Sequence, residues 1–241
     1  NGVELKKTQI PEVGVIPYIN SKDLFYKQKT RAGGAPTRIY FKMEDEKSQV
    51  IEIELYPAFS RNMMINGKGK KLTKNQYTEL LRLKPSLVPS ISGITTQEEL
   101  YREIAQTRLI SEGRHNEVFR NLLYRLKDNK KLWKEYKEIT SKVFSLKDIS
   151  VPFNEDKDEW LTTIYEEDNC TLDYISAGSG FIQVSNILAM LLLNPSKVLL
   201  LDEPDSHMHD DLQKVMFEVL ENIVLRKKIQ ILITTHSSKL I

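Results

Sequence analysis

Residues 197–209 read KVLLLDEPDSHMH, and residues 231–237 read ILITTHS. Each is an apolar run rich in Val, Ile and Leu that stops abruptly on acidic or polar side chains. Strands buried on both faces of a parallel sheet have this composition, and such sheets present their chemistry at the carboxyl ends of the strands. The first run delivers two adjacent carboxylates, Asp202 and Glu203, and Pro204, which lacks a ladder donor, ends it. The second delivers Thr234, Thr235, His236 and Ser237. Upstream lies Ser176-Ala177-Gly178-Ser179-Gly180, then Ile182, Val184, Ile187, Leu188, Leu191 and Leu192, the spacing of a well-buried helix. Helix, strand 198–202, helix 211–225 and strand 229–235 follow in order. That alternation predicts an α/β fold with a parallel sheet and crossover helices.

An engine that hydrolyses a Mg-nucleotide needs one carboxylate for the hydrated Mg²⁺ and one to polarise the attacking water. Adjacent residues at a strand end point in different directions, so Asp202 and Glu203 can divide those tasks. Gly178 and Gly180 let the backbone approach an anion closely, and the following helix presents free N–H groups and its positive dipole end to a phosphate. A His at the sheet's carboxyl edge, His236, can hydrogen-bond a terminal phosphate and sense its loss. Each motif has a plainer reading: an ordinary acidic turn, a Gly/Ser turn before a core helix, an exposed His. His207 and His209, near Asp205, Asp210 and Asp211, also admit a metal cluster, although their spacing is no zinc signature.

Elsewhere the signals are weaker. Residues 27–36 (KQKTRAGGAP) predict a loop. Residues 38–41 and 50–55 predict two strands joined by a turn at 44–47, and the second alternates apolar with acidic residues. Residues 57–74 are loop-like. Helices are expected over 96–112, 114–127 and 129–145, the first opened by a capping box from Thr96 to Glu99. Residues 147–159 predict a linker, and 160–166 a strand. The many Arg and Lys residues of the helices could meet phosphates. Glu98, Glu99, Glu103, Glu112, Glu117, Glu135 and Glu138 offset them, as on a solvated amphipathic pair.

The 241 residues suffice for one large or two modest domains. With 40% hydrophobic and 28% charged residues the chain predicts a soluble globular protein, and a net charge of +2 exerts no global pull on nucleic acid or membrane. A single cysteine, Cys170, excludes an internal disulfide framework and fits a reducing, cytoplasmic location. The longest apolar stretch, 187–193, is too short to span a bilayer, and no signal peptide is evident.

Together and in this order, the three motifs resemble those of ATP-binding-cassette ATPases: a signature loop, a Walker B strand with its catalytic Glu, and a switch His. The resemblance is closest to the SMC/RecF-like branch, and within it to the OLD (overcoming lysogenization defect) ATPases. It is strong over 172–238, where Ser-Ala-Gly-Ser-Gly-Phe-Ile-Gln at 176–183 and Asp-Glu-Pro-acid-x-His-x-His at 202–209 carry it. It is weaker over 87–127 and loose before that. The resemblance implies ATP and Mg²⁺ as ligands. Asp202 would support Mg²⁺, Glu203 would polarise the lytic water, and His236 would complete the γ-phosphate's shell. Ser176, Gly178, Ser179 and Gly180 would contact the γ-phosphate held by a second subunit. A homodimer or higher homo-oligomer with ATP at its interface is therefore implied.

The resemblance divides the chain into 1–86, an N-terminal β part of the ATPase head; 87–150, a helical insertion; and 151–241, the core with signature loop, Walker B strand and switch His. The phosphate-cradling pattern G-x-x-x-x-G-K-[ST] does not occur. Gly67-Lys68-Gly69-Lys70-Lys71 lacks its spacing and reads as a basic surface loop. The expectation is that the chain begins downstream of the P-loop and ends just after the switch His, where a TOPRIM nuclease domain commonly follows in OLD-type proteins. The function implied is an ATP hydrolase that dimerises on ATP and controls DNA or an effector nuclease, TOPRIM or other, in anti-phage defence. Two alternatives stay open: a non-hydrolysing scaffold or sensor that assembles a partner, and a RecF-like DNA-repair ATPase. No membrane partner is expected.

Overall fold

A computed structural model describes residues 85–193, 196 and 198–237 throughout, and only strands within residues 1–84. The chain divides into two units, 1–82 and 83–241. In the first, β1 (Thr8–Ile10), β4 (Ile39–Glu44), β5 (Val50–Pro57) and β6 (Met63–Lys68) form an antiparallel sheet in the order β1-β6-β5-β4. β2 (Arg31–Ala32) and β3 (Ala35–Pro36) form a separate two-stranded ladder inside the segment expected to be a loop. β4 and β5 are the two strands expected, in antiparallel register from Ile39↔Leu55 to Glu44↔Val50. The expected turn residues 45–47 lie outside the described residues.

β6 corrects the reading of 57–74 as loop. It pairs with both β1 and β5, which places Gly67 opposite Ile53 and Lys68 opposite Glu52. A strand between two partners is fixed by pairing rather than by local composition, so the Asn-Gly of MMINGK does not break it. Gly67 and Lys68 are thus strand residues and not surface loop; 69–71 lie outside the described residues.

The second unit holds the parallel sheet. β7 (Ser86–Val88), β11 (Val198–Asp202) and β12 (Gln230–Thr234) lie in the order β12-β11-β7, and β11 runs parallel to both neighbours. A short antiparallel sheet, β10-β9-β8, comprises β8 (Asp148–Ser150), β9 (Ile164–Glu167) and β10 (Cys170–Asp173). β8 falls within the expected linker, and β9 starts later than expected. The helices are α1 (Glu103–Ser111), α2 (Phe119–Asp128), α3 (Lys130–Phe144), α4 (Ser179–Leu193) and α5 (Asp210–Lys227).

α4 is the hub. Every residue from Gly180 to Leu192 is buried, as expected of a helix apolar all round. α2 and α3 pack on it, joining Phe119, Leu122, Leu123, Leu126 and Tyr136 to Ile182, Ile187 and Leu188 in one core. Lys227, on α5, donates to the Leu191 and Leu192 carbonyls at 3.1 and 3.4 Å, satisfying acceptors that the end of α4 leaves open. Leu199 and Leu201 of β11 are buried. β12 is the outer strand of the described sheet and differs from expectation: Leu232 and Ile233 are exposed.

The capping box at Thr96–Glu99 does not form. α1 starts only at Glu103, and Glu98 has another task. Its fully buried carboxylate accepts the backbone N–H groups of Arg120 (3.0 Å) and Asn121 (2.7 Å) and the Asn121 side-chain amide (2.7 Å). Glu98 thus caps the start of α2 across a gap of more than twenty residues. That bond set outweighs a local helix turn, and residues 96–102 stay extended or irregular.

Candidate functional site at the carboxyl edge of the parallel sheet

β11 and β12 end level, with Asp202 opposite Thr234. That register puts Thr234 between the two acids. Its hydroxyl donates to Asp202 Oδ1 at 2.6 Å. The Glu203 backbone N–H in turn donates to the Thr234 hydroxyl and to the Thr234 carbonyl, each at 3.1 Å. One threonine therefore orients the first carboxylate and anchors the residue bearing the second. Among the described residues nothing bonds the other oxygen of Asp202.

Glu203 leaves the strand in the left-handed region, at φ +45°. A non-glycine residue there stores roughly 1–2 kcal/mol of strain, held by the two bonds from its N–H and by Ser206 N–H donating to its carbonyl at 3.0 Å. The turn points its carboxylate at His236, whose Nε2 lies 3.2 Å from Glu203 Oε1. Both groups face solvent, His236 at 91% and Glu203 at 49% side-chain exposure, so the pair is open to a ligand. Asp202, Glu203 and His236 thus converge at one edge, next to Thr234.

The Ser176–Gly180 segment leads into α4. A 3-10 turn over Tyr174–Ser176 leads into it, Asp173 caps that turn by accepting the Ile175 N–H at 2.8 Å, and Ile182 N–H donates to the Gly178 carbonyl at 3.1 Å as α4 begins. Ser176 and Gly178 are exposed and Ser179 half-buried. A methyl at Gly178 would meet nothing within 4 Å, so that face is open. Gly180 serves differently. A methyl there would lie 3.0 Å from Leu212 Cδ2 and 3.1 Å from the His207 carbonyl oxygen. Its lack of a side chain lets α4 press against the turn that follows β11.

His207, at φ +64°, ends that turn. His209 is the N-cap of α5, its Nδ1 accepting the Leu212 N–H at 3.2 Å. Asp210 and Asp211 occupy the first turn of α5, where carboxylates suit the helix dipole. Among the described residues no group of three or more His, Cys, Asp or Glu is gathered to hold a metal, nor is any helix long and apolar enough to cross a membrane. Thr234 was visible at the end of its strand, but its bonds to both acids follow from the parallel register. Gln213 was not foreseen. Its amide donates to the Met208 carbonyl at 2.9 Å and its oxygen accepts from Ser237 at 3.0 Å, joining the turn after β11 to the segment carrying His236.

No curated protein matches the chain. Among solved structures, an SMC head bound to the C-terminal winged-helix domain of ScpA is similar at TM-score 0.55 and 13% identity, over 92% of this chain and 73% of that one. An SMC head with an extended coiled coil, bound to the C-terminal domain of ScpA from Pyrococcus furiosus, is similar at TM-score 0.45 and 14% identity, over 80% of this chain and 66% of that one. The first likeness establishes an α/β fold of the SMC ATPase head type. Residues 66–241 match the family described as "AAA domain, putative AbiEii toxin, Type IV TA system", and the chain belongs to that family.

Proposed function

We propose that this chain carries the hydrolytic edge of a Mg-ATP hydrolase, with Glu203 as general base, His236 as the group that reads the terminal phosphate and Asp202 as the Mg²⁺-supporting carboxylate. The observation that carries this reading is the Thr234-centred arrangement, in which one hydroxyl orders Asp202 and Glu203 while Glu203 faces His236. Family membership supports nucleotide binding, generally with Mg²⁺.

Asp202 suits a hydrated Mg²⁺: a carboxylate at a strand end, one oxygen held by Thr234 and the other unengaged among the described residues. Mg²⁺, when bound, supplies charge neutralisation on phosphate oxygens. Glu203 accepts a proton as water attacks the terminal phosphorus and the bond to the ADP oxygen breaks. His236, 3.2 Å from the Glu203 carboxylate, would offer Nε2–H to a phosphate oxygen. The exposed Ser176 and Gly178 and the half-buried Ser179, at the N-terminus of α4, provide hydroxyls and N–H donors for an anion. The resemblance to ATP-binding-cassette signature loops favours their service to a nucleotide held by a second copy, head to tail. Gly180, which also packs closely on the turn after β11, would offer its backbone N–H alongside them. Closure on ATP would then control DNA or an effector nuclease in anti-phage defence, as in the OLD-type ATPases that the motifs resemble.

The test is ATP-dependent assembly. In the full-length protein Glu203→Gln should remain monomeric without nucleotide and form a dimer with Mg-ATP by light scattering, since it retains nucleotide and cannot spend it. A Glu203→Gln protein that stays monomeric with saturating Mg-ATP would refute the dimer and favour a non-hydrolysing scaffold.

A further inference from the structure

Arg120 is among the largest fully buried side chains of the described residues, at 2% exposure, and the hydrolytic edge does not use it. It sits in the first turn of α2, its backbone N–H held by Glu98 at 3.0 Å. Its guanidinium spans two segments. Nη1 donates to the Thr95 carbonyl, and Nη2 donates at 2.8 Å to Asp173 Oδ1, in an ion pair. That same oxygen accepts the Ile175 N–H at 2.8 Å, so Arg120 fixes the carboxylate that caps the turn into Ser176–Gly180.

The surroundings show why this tether matters. Tyr174 is fully buried, ringed by Phe119, Tyr165 and Phe181 at centroid distances of 4.9–5.7 Å. Immediately beyond it, Ile175 and Ser176 are exposed. Asp173 and Tyr174 are therefore the last held residues before the open loop, and adjacent residues of α2, Phe119 and Arg120, hold both. On its other side Arg120 grips the segment after β7. There the Ile91 N–H donates to Gln183 on α4 at 2.8 Å, and Ser90 bonds Ser206 in the turn carrying Glu203. The guanidinium thus joins the chain behind the loop to the chain beside the acids.

We propose that Arg120 is the positioning residue of the Ser176–Gly180 loop, acting through Asp173 to hold it in the geometry that engages nucleotide. The claim rests on the reading of that loop given above. A planar fork can satisfy two acceptors on different segments at once, and a lysine ammonium cannot do so in the same geometry.

The experiment uses the full-length protein with Arg120→Lys and with Asp173→Asn. The second variant keeps an acceptor for the Ile175 amide while removing the charge that pairs with Arg120, and it guards against misfolding of the first. Amide hydrogen exchange, nucleotide affinity and turnover are measured for each. Exchange over 174–180 should accelerate at least about tenfold, the size of one charge-assisted hydrogen bond, with the interior of α4 unchanged. kcat should fall by a similar factor while affinity for ATP stays within about twofold. The double variant should be no worse than the poorer single one. Unchanged exchange over 174–180 in a folded Asp173→Asn protein overturns the tether. Accelerated exchange with parental kcat overturns the positioning role. Glu203→Gln serves as the separate control: if it hydrolyses ATP normally, the reading of the acids fails, while the exchange measurement still decides for or against the tether.

Discussion

Substituting alanine at Gly180 and, separately, at Gly178 places one methyl on either side of the loop's boundary with α4. At Gly180 the new methyl would sit 3.0 Å from Leu212 Cδ2 and 3.1 Å from the His207 carbonyl oxygen. Favourable contact lies nearer about 3.5–4.0 Å, so each neighbour must retreat by roughly half an ångström. Leu212 can rotate. The His207 carbonyl belongs to a left-handed residue at the end of a turn that also begins left-handed, at Glu203, so it has little slack. Overpacking costs about 1–3 kcal/mol, and replacing helical Gly with Ala returns at most about 1 kcal/mol. A net loss of about 1–2 kcal/mol is expected, which lowers the melting temperature by roughly 2–8 °C in a domain of this size. At Gly178 the methyl meets nothing within 4 Å. Restricting the unfolded chain then stabilises by about 0.4–1 kcal/mol, a rise of roughly 1–4 °C. Activity should fall nevertheless, because the methyl enters the face offered to the phosphate. Differential scanning calorimetry and ATP turnover read the two effects. A Gly180→Ala protein that melts at or above the parent would refute the close approach of α4 to the turn. A Gly178→Ala protein with parental turnover would refute the loop's contact with nucleotide.

Acid should destabilise the second unit through His115, which is fully buried and whose pKa burial pushes down to about 4. The unfolded chain takes up the proton near pH 6.5, the folded one only near 4. Stability is therefore full above about pH 6.5 and falls as pH drops toward 4, by up to roughly 3 kcal/mol. Urea midpoints at pH 7.5 and 5 should differ in the parent and differ less in His115→Gln. Glu98, whose pKa burial pushes up, works in the opposite sense, so the comparison with His115→Gln isolates the histidine's share. Thr234→Val removes the hydroxyl that donates to Asp202 and accepts from Glu203. It should cut kcat by about tenfold or more, the cost of two ordering bonds, and Thr234→Ser should restore most of it.

The order of α4, β11, α5 and β12 was legible because their apolar runs are long and stop on polar residues, even though Leu232 and Ile233 of β12 are exposed. α4, β11, α5 and β12 follow the expected order, since an apolar run ending on a carboxylate or a histidine has few structural meanings. What escaped the sequence depends on partners far along the chain. β6 is a strand because β1 and β5 flank it, although 57–74 reads locally as a loop. Glu98 reads in sequence as part of a helix-opening box, but its carboxylate caps α2 instead. Thr234 orders both acids only because two parallel strands end level. Gly180 is small for the sake of the turn at His207, a contact that no spacing rule contains. β7, β8 and β10 are three or four residues long, too short to carry a period.

The central claim, that the Thr234-ordered acids hydrolyse ATP, is tested most directly by Mg-ATP turnover in the full-length protein beside the same protein carrying Glu203→Gln. Turnover that is present in the parent and lost by about a thousandfold in the variant, with nucleotide still bound, is the result predicted for removal of a general base. Equal turnover in the two proteins would contradict it.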